Sequence, residues 1–214
     1  MAAGPSPLLR RIVVLGVPLI LGLLEVGHPA LGPGDNIFET LAPITIWWTA
    51  LHVAQIPLFA LLGAAAFLLV RDLDGRAARI SRRAIAVFVV VYPAFDAAVG
   101  VASGVIVHTL GPLSADQRVL VERGLQALFW GPVTGLMAIV GSAAWLVALL
   151  AAAQAWRRAG APLAIVGLLA LSGLLLGVAH IRPIGPLACL SFLVAAAWIE
   201  VGRSRPESMP RDPS

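Results

Sequence analysis

Four histidines are the residues whose type and position point most directly to chemistry in this chain. All of them fall at the same end of hydrophobic segments that alternate in direction, so in a membrane they would gather on one side. They are His28, His52, His108 and His180. Imidazoles that converge from separate helices are suitable ligands for zinc, iron or copper.

Two of these histidines have a polar neighbour at helical spacing. Glu25 precedes His28 by three residues, and Gln55 follows His52 by three. Residues three apart are neighbours on one face of a helix. Helical bundles hold metal ions with the same Glu-x-x-His spacing, although this chain contains the motif once rather than twice.

Glu25 and Asp96 are carboxylates that lie inside apolar segments. A charged group at the centre of a membrane helix costs about 2.5–3.5 kcal/mol on insertion scales, so each needs a partner. Both are candidate catalytic groups and candidate ligands. The predicted metal ligands are His28, His52, His180, Glu25 and Asp96.

Other polar side chains compete for these carboxylates. Tyr92 precedes Asp96 by one helical turn, and Gln55 is a further supporting residue. Arg182 offers an ion pair to Glu25 or Asp96, which would make the histidines part of a structural hydrogen-bond network. The sequence leaves the metal site and this network open as alternatives.

The elements that must position these side chains are membrane helices. Hydrophobic residues make up 59% of the 214 residues and charged residues 12%, with a mean hydropathy of +0.93, far from the composition of soluble domains. We predict an all-α, polytopic bundle of six transmembrane helices in the cell membrane, one domain over residues 1–203. The predicted spans are residues 8–29, 44–70, 84–110, 132–156, 162–180 and 184–201.

Arginine supplies every basic residue and sets the predicted orientation. Twelve of the 15 arginines flank one set of segment ends, so the inside-positive rule places both termini in the cytoplasm. The charged residues 71–83 are predicted to form a cytoplasmic turn, and residues 204–214 a disordered cytoplasmic tail. Residues 114–130 are predicted to form an amphipathic outer helix before the fourth span, with Ser114 and Gln117 as a capping box.

The depth of each histidine in the membrane separates three of them from the fourth. At about 1.5 Å per residue from the arginine markers, His28, His52 and His180 fall in one layer near the outer leaflet. Glu25 and Asp96 come just below that layer, whereas the fourth histidine lies farther out. Arg10-Arg11 and the run after them also suit a cleavable signal peptide, but Glu25 and His28 favour a retained helix.

Several functions fit this pattern. One is an enzyme whose metal activates water or oxygen and acts on a membrane lipid or other apolar substrate. The others are a b-type haem protein using, for example, His52 and His180, a proton-coupled transporter, and a structural subunit of a homo-oligomer or larger membrane complex. No basic patch interleaved with aromatic residues suggests nucleic acid.

Overall fold

The computed structural model describes residues 6–203, and the predicted tail at residues 204–214 lies outside them. In this range the chain folds into helices joined by short connections. The helices are α1 (Pro7–Val26), α2 (Ile37–Leu41), α3 (Thr45–Val70), α4 (Gly75–Leu110), α5 (Ala115–Trp130), α6 (Pro132–Arg158), α7 (Leu163–Val178) and α8 (Ile184–Arg203).

Six of these helices form a closed ring. Each packs against its two neighbours in the order α1, α3, α4, α6, α7, α8 and back to α1. Consecutive helices run in opposite directions, so one end of the ring holds the clustered histidines and the other holds most of the arginines. We call these the histidine end and the arginine end. The short α2 and the amphipathic α5 lie together across the histidine end.

The bundle has the properties of a membrane protein. Within the described residues, five helical segments are long and apolar enough to cross a membrane. Large apolar side chains also cover its outer face, such as Ile46 at 75% and Val133 at 72% exposure. Such a surface suits lipid, because soluble proteins rarely expose wide apolar patches.

Six spans are predicted, whereas five helical segments of the described structure are long enough to cross a membrane. α7 is apolar but has only 16 residues, so it reaches about 24 Å against the roughly 30 Å of a hydrocarbon core. It joins the arginine end to the histidine end of the ring, between α6 and α8. A sixth crossing therefore stays a prediction.

The charged connection predicted over residues 71–83 is shorter than expected. Only residues 71–74 lie outside helices, because α4 begins at Gly75 and includes the following arginines. Arginine and alanine are good helix formers, so this segment extends the helix rather than ending it. Among these arginines, Arg82 donates hydrogen bonds to the carbonyl oxygens of Val70 and Leu73 at the end of α3.

The predicted helix over residues 114–130 is confirmed, as is its N-terminal cap. The Ser114 hydroxyl accepts from the Gln117 backbone, and the Gln117 side chain accepts from the Ser114 backbone. Leu125 on this helix is buried against α2, whereas Leu120 is 70% exposed. α5 is therefore amphipathic, with its buried face turned towards the histidine end.

A proline and a local π-turn shape α4 at the depth of the site. Pro93 lies inside the helix, and the π-turn Ala97–Val101 begins directly after Asp96. Proline removes a backbone donor, and π-turns occur often at functional sites. The two features together place the Asp96 side chain and the Gly100 backbone towards the interior of the ring.

Candidate metal centre

Three histidines converge at the histidine end of the ring. His28 follows the end of α1, His52 lies on α3, and His180 lies in the connection between α7 and α8. One potential ligand atom from each lies within 4.8 Å of the other two. The ring centroid of His28 is 5.1 Å from that of His52 and 4.9 Å from that of His180. The histidine layer expected from depth is thus present in the fold.

Each of the three imidazoles is held through its Nδ1 atom. The Nδ1 atoms of His28 and His52 lie 2.7 Å from the carbonyl oxygens of Pro29 and Trp48. A carbonyl oxygen only accepts, so these two Nδ1 atoms carry the proton and donate it. The Nε2 atoms are left with their lone pairs. Nδ1 of His180 lies 2.9 Å from the Tyr92 hydroxyl, which can accept a proton from this nitrogen or donate one to it. When the hydroxyl accepts, Nε2 of His180 also keeps its lone pair.

This arrangement is the one that metal-binding histidines use. Ligating imidazoles commonly donate their second nitrogen to a carbonyl, carboxylate or hydroxyl, which fixes the tautomer and the ring orientation. Around a tetrahedral zinc ion with ligands at about 2.0–2.1 Å, two ligand atoms lie about 3.4 Å apart. The ligand atoms of the three histidines lie within 4.8 Å of one another, so each would need to move by less than about 1 Å to bind zinc. Nε2 of His28 is buried and has no hydrogen-bond partner among the described residues.

Asp96 faces two of these nitrogens. Its Oδ1 atom lies 4.0 Å from Nε2 of His52 and 3.9 Å from Nε2 of His180. These separations exceed those of hydrogen bonds. The carboxylate is 1% exposed, and its Oδ2 atom has no partner within the described part of the chain. A cation or a cation-bound water between these groups would pair all of them.

Glu25 has a different environment from the one expected. Its Oε1 atom accepts a hydrogen bond of 2.7 Å from Nε2 of Gln55, and both side chains are fully buried. Its Oε2 atom is unpartnered among residues 6–203. Glu25 is not part of the close group of three histidines, and it does not line the adjacent cavity. Its roles as ligand or catalytic group stay predictions.

The remaining predicted residues lie elsewhere. Arg182 is exposed, and no ion pair joins it to Glu25 or Asp96 among the described residues. The hydroxyl of Tyr92 contacts His180 rather than the neighbouring carboxylate. His108 is exposed at the end of α4, where it lines separate surface cavities. The competing network based on Arg182 is therefore not formed.

A cavity of about 140 Å³ adjoins the cluster. The three histidines and Asp96 supply its polar groups, and its other walls are apolar or aromatic. α5 contributes Phe129 and Trp130, which connect the amphipathic helix with the site. The histidines thus lie against a mostly apolar space.

Two residues beside the site are not among the candidates named from the sequence. Trp48 is 2% exposed, and its indole nitrogen donates to the Gly100 carbonyl at 2.7 Å and to Ser103 Oγ at 3.0 Å. Trp48 precedes His52 by four residues, and Gly100 follows Asp96 by four, so each shares a helix face with a residue of the site. This spacing is the sequence signal that could have identified them. A Cβ atom at Gly100 would collide with the ring of His52, so glycine makes room for that histidine.

Comparison of the chain with protein families, curated proteins and solved structures gives no match. The functional interpretation therefore depends on the geometry of the site.

Proposed function

We propose that this protein is a membrane-embedded metallohydrolase with one zinc ion bound by His28, His52 and His180. The observation that carries the proposal is the shared orientation of the three imidazoles, with Nδ1 held by an outer partner and Nε2 available. Three neutral nitrogen ligands and one open position are the ligand set of catalytic zinc. Iron and copper also accept imidazole, and metal analysis distinguishes them.

In this proposal the metal supplies an activated water. A zinc ion with three histidine ligands would lower the pKa of its bound water to about 7, which provides a nucleophile at neutral pH. Oδ1 of Asp96 lies 3.9–4.0 Å from the Nε2 atoms of His52 and His180, near enough to accept a hydrogen bond from that water or, as predicted, to bind the metal itself. We assign Asp96 as the general base, and Glu25 with Gln55 as the polar layer beneath the ligands.

The membrane arrangement belongs to the same proposal. α7 lies between two helices that run the full length of the ring, so we propose that it makes the sixth crossing. An even number of crossings puts both termini on one side, and the arginines favour the cytoplasm. The metal centre then lies near the outer leaflet.

The haem alternative has less support from the geometry. A macrocycle ligated by His52 and His180 would have to lie between their rings. The ring of His28 is in edge-to-face contact with both. The cavity of about 140 Å³ beside them also leaves little room for a macrocycle.

The test is metal analysis of the protein purified in detergent. We expect about one zinc ion per chain. His28→Ala, His52→Ala and His180→Ala should each lose most of it, because two imidazoles bind the ion far more weakly than three. His108→Ala is the matched control and should keep the ion, since His108 lies outside the cluster. A protein that stays folded but takes up no transition metal when supplied with one would overturn the proposal.

A further inference from the structure

The polar groups of the cavity are confined to the metal centre itself. Apart from the three histidines and Asp96, the lining consists of apolar and aromatic side chains and Gly100. One of the two indole nitrogens among them, that of Trp48, already donates to Gly100 and Ser103. Among the described residues no arginine lines the cavity, and Arg182, which follows the lining residue Ile181, is exposed, although it is close enough to His28 to act on it electrostatically. The described lining thus contains no cationic side chain, and Asp96 is its one acidic side chain.

From this lining we infer that the substrate is an uncharged lipid whose carboxylic ester or amide carbonyl enters the cavity. The inference rests on the proposed metal centre and identifies the class of molecule on which that centre acts. A phosphate group in the same place would need arginine or several N–H donors besides the metal. It would also face the carboxylate of Asp96 at close range. A neutral carbonyl has neither requirement, because the metal alone polarises it.

The size and position of the cavity point to a lipid. A volume of about 140 Å³ has room for the reacting carbonyl and a short length of chain, whereas the rest of the molecule stays outside. Trp130 lines the cavity and is also 48% exposed, so the cavity reaches the protein surface at the end of α5. The exposed apolar side chains of Val133 and Leu136 continue that surface along α6. A substrate that approaches there comes from an apolar surface rather than from water.

The reaction balances as a hydrolysis. The oxygen of the attacking water would form a bond to the carbonyl carbon, and the bond from that carbon to the alcohol oxygen or amine nitrogen would break. Asp96 takes the proton of the attacking water and passes it to the leaving alcohol or amine. The products are a carboxylic acid and an alcohol or amine, and no oxidant or reductant is consumed.

The experiment uses the full-length, zinc-loaded protein in mixed micelles. The probes are a diacylglycerol, an N-acyl sphingoid lipid, and phosphatidylglycerol as the anionic lipid. We expect fatty acid to be released from at least one neutral lipid about tenfold faster than from phosphatidylglycerol, since the phosphate of that lipid is only a few bonds from its ester carbonyls and is brought towards the carboxylate of Asp96 when a carbonyl enters the cavity. The two neutral probes distinguish ester from amide substrates. Cleavage of a phosphodiester bond, or no release from either neutral lipid by protein with its full zinc content, would overturn the substrate class but leave the metal centre standing.

Variants on one helix provide the control for the cavity. Val99→Trp on α4 should fill the cavity and lower the rate of release about tenfold or more while zinc stays bound. Val90→Trp on the same helix is the matched control, because Val90 is 68% exposed and lies outside the cavity. Equal rates for the two variants would contradict the proposed location of the substrate.

A second variant tests the charge argument without filling the cavity. Trp130→Arg replaces a half-exposed residue of the lining with a cation. We expect the preference for the neutral lipid over phosphatidylglycerol to fall by about tenfold, since an added cation attracts the anion. An unchanged preference in a protein that retains its zinc would show that cavity charge does not select the substrate.

Discussion

Nε2 of His52 lies 4.0 Å from Oδ1 of Asp96; because Nδ1 of this imidazole donates to the Trp48 carbonyl oxygen, Nε2 is an acceptor, as is each oxygen of an ionised Asp96. Two buried acceptors that face each other without a donor between them repel, and burial strengthens the repulsion. A second proton on His52 would not produce a hydrogen bond, because 4.0 Å is too long for one. A bound cation with its water makes the arrangement favourable, which is why Asp96 is the first residue to test.

Asp96→Asn should separate catalysis from metal binding. The amide has nearly the shape of the carboxylate but does not accept a proton, so hydrolysis should fall by about 10²–10⁴-fold. Zinc should remain at about one ion per chain, because the three imidazoles are intact. The measurements are fatty-acid release and metal content on the same preparation. Loss of zinc in this variant would instead make Asp96 a fourth ligand.

Tyr92→Phe should weaken metal binding without disturbing the helix packing. The phenol is the only side chain that holds Nδ1 of a clustered histidine in the described structure, and its ring packs against Phe59 and Phe88. Loss of such an outer partner lowers metal affinity by about 10–100-fold. Competition with a chelator measures the affinity. Phe88→Tyr is a control that alters the same aromatic cluster and leaves the hydrogen bond to His180 in place.

The sequence predicts the depth of these residues better than their direction around each helix. A constant rise of about 1.5 Å per residue puts His28, His52 and His180 in one layer, and they do converge. Rotation about the axis depends on side-chain packing instead. Glu25, for example, lies at the expected depth, but one of its oxygens accepts from Gln55, a contact that the depth count does not predict.

The conformation of the connections and the contacts between helices also depend on packing, so the sequence did not predict them. Arg182 lies between α7 and α8, where no periodic pattern defines the backbone, and the ion pair kept open as an alternative is absent from the described residues. Trp48 is buried beside the site and donates to Gly100 of α4, a contact that depends on how two helices pack and not on either segment alone. The apolar composition and the positions of the arginines, in contrast, are properties of each segment of the sequence by itself. They indicate membrane helices even when the packing of the helices is unknown.

Gly100→Ala should disrupt the metal centre although it adds a single methyl group. A Cβ atom at this position would collide with the imidazole of His52, so that ring must move away from the other ligands. We expect zinc affinity to fall by at least about tenfold, as for other overpacked sites that cost roughly 1–3 kcal/mol. Gly167→Ala on α7 is the control, because a Cβ atom there meets nothing within 4 Å. Equal zinc affinity in the two variants would contradict the close contact.

The side of the membrane on which the site lies can be tested with single cysteines. The background is Cys189→Ala, since Cys189 is the one cysteine of the chain. An impermeant maleimide on intact cells should label Ser114→Cys, just before α5, but should label Asp74→Cys and Ser6→Cys only after lysis. The reason is that the arginine-rich ends are retained in the cytoplasm. The position of Ser6 relative to Asp74 also tests α1, because these two sites are separated by α1 and α3. They lie on opposite sides if only one of the two helices crosses, and labelling of Ser6→Cys but not Asp74→Cys in intact cells would contradict the predicted topology. α7 requires its own pair, Ala159→Cys at the arginine end and Arg182→Cys at the histidine end. Labelling of both in intact cells would mean that the 16-residue helix does not cross the membrane.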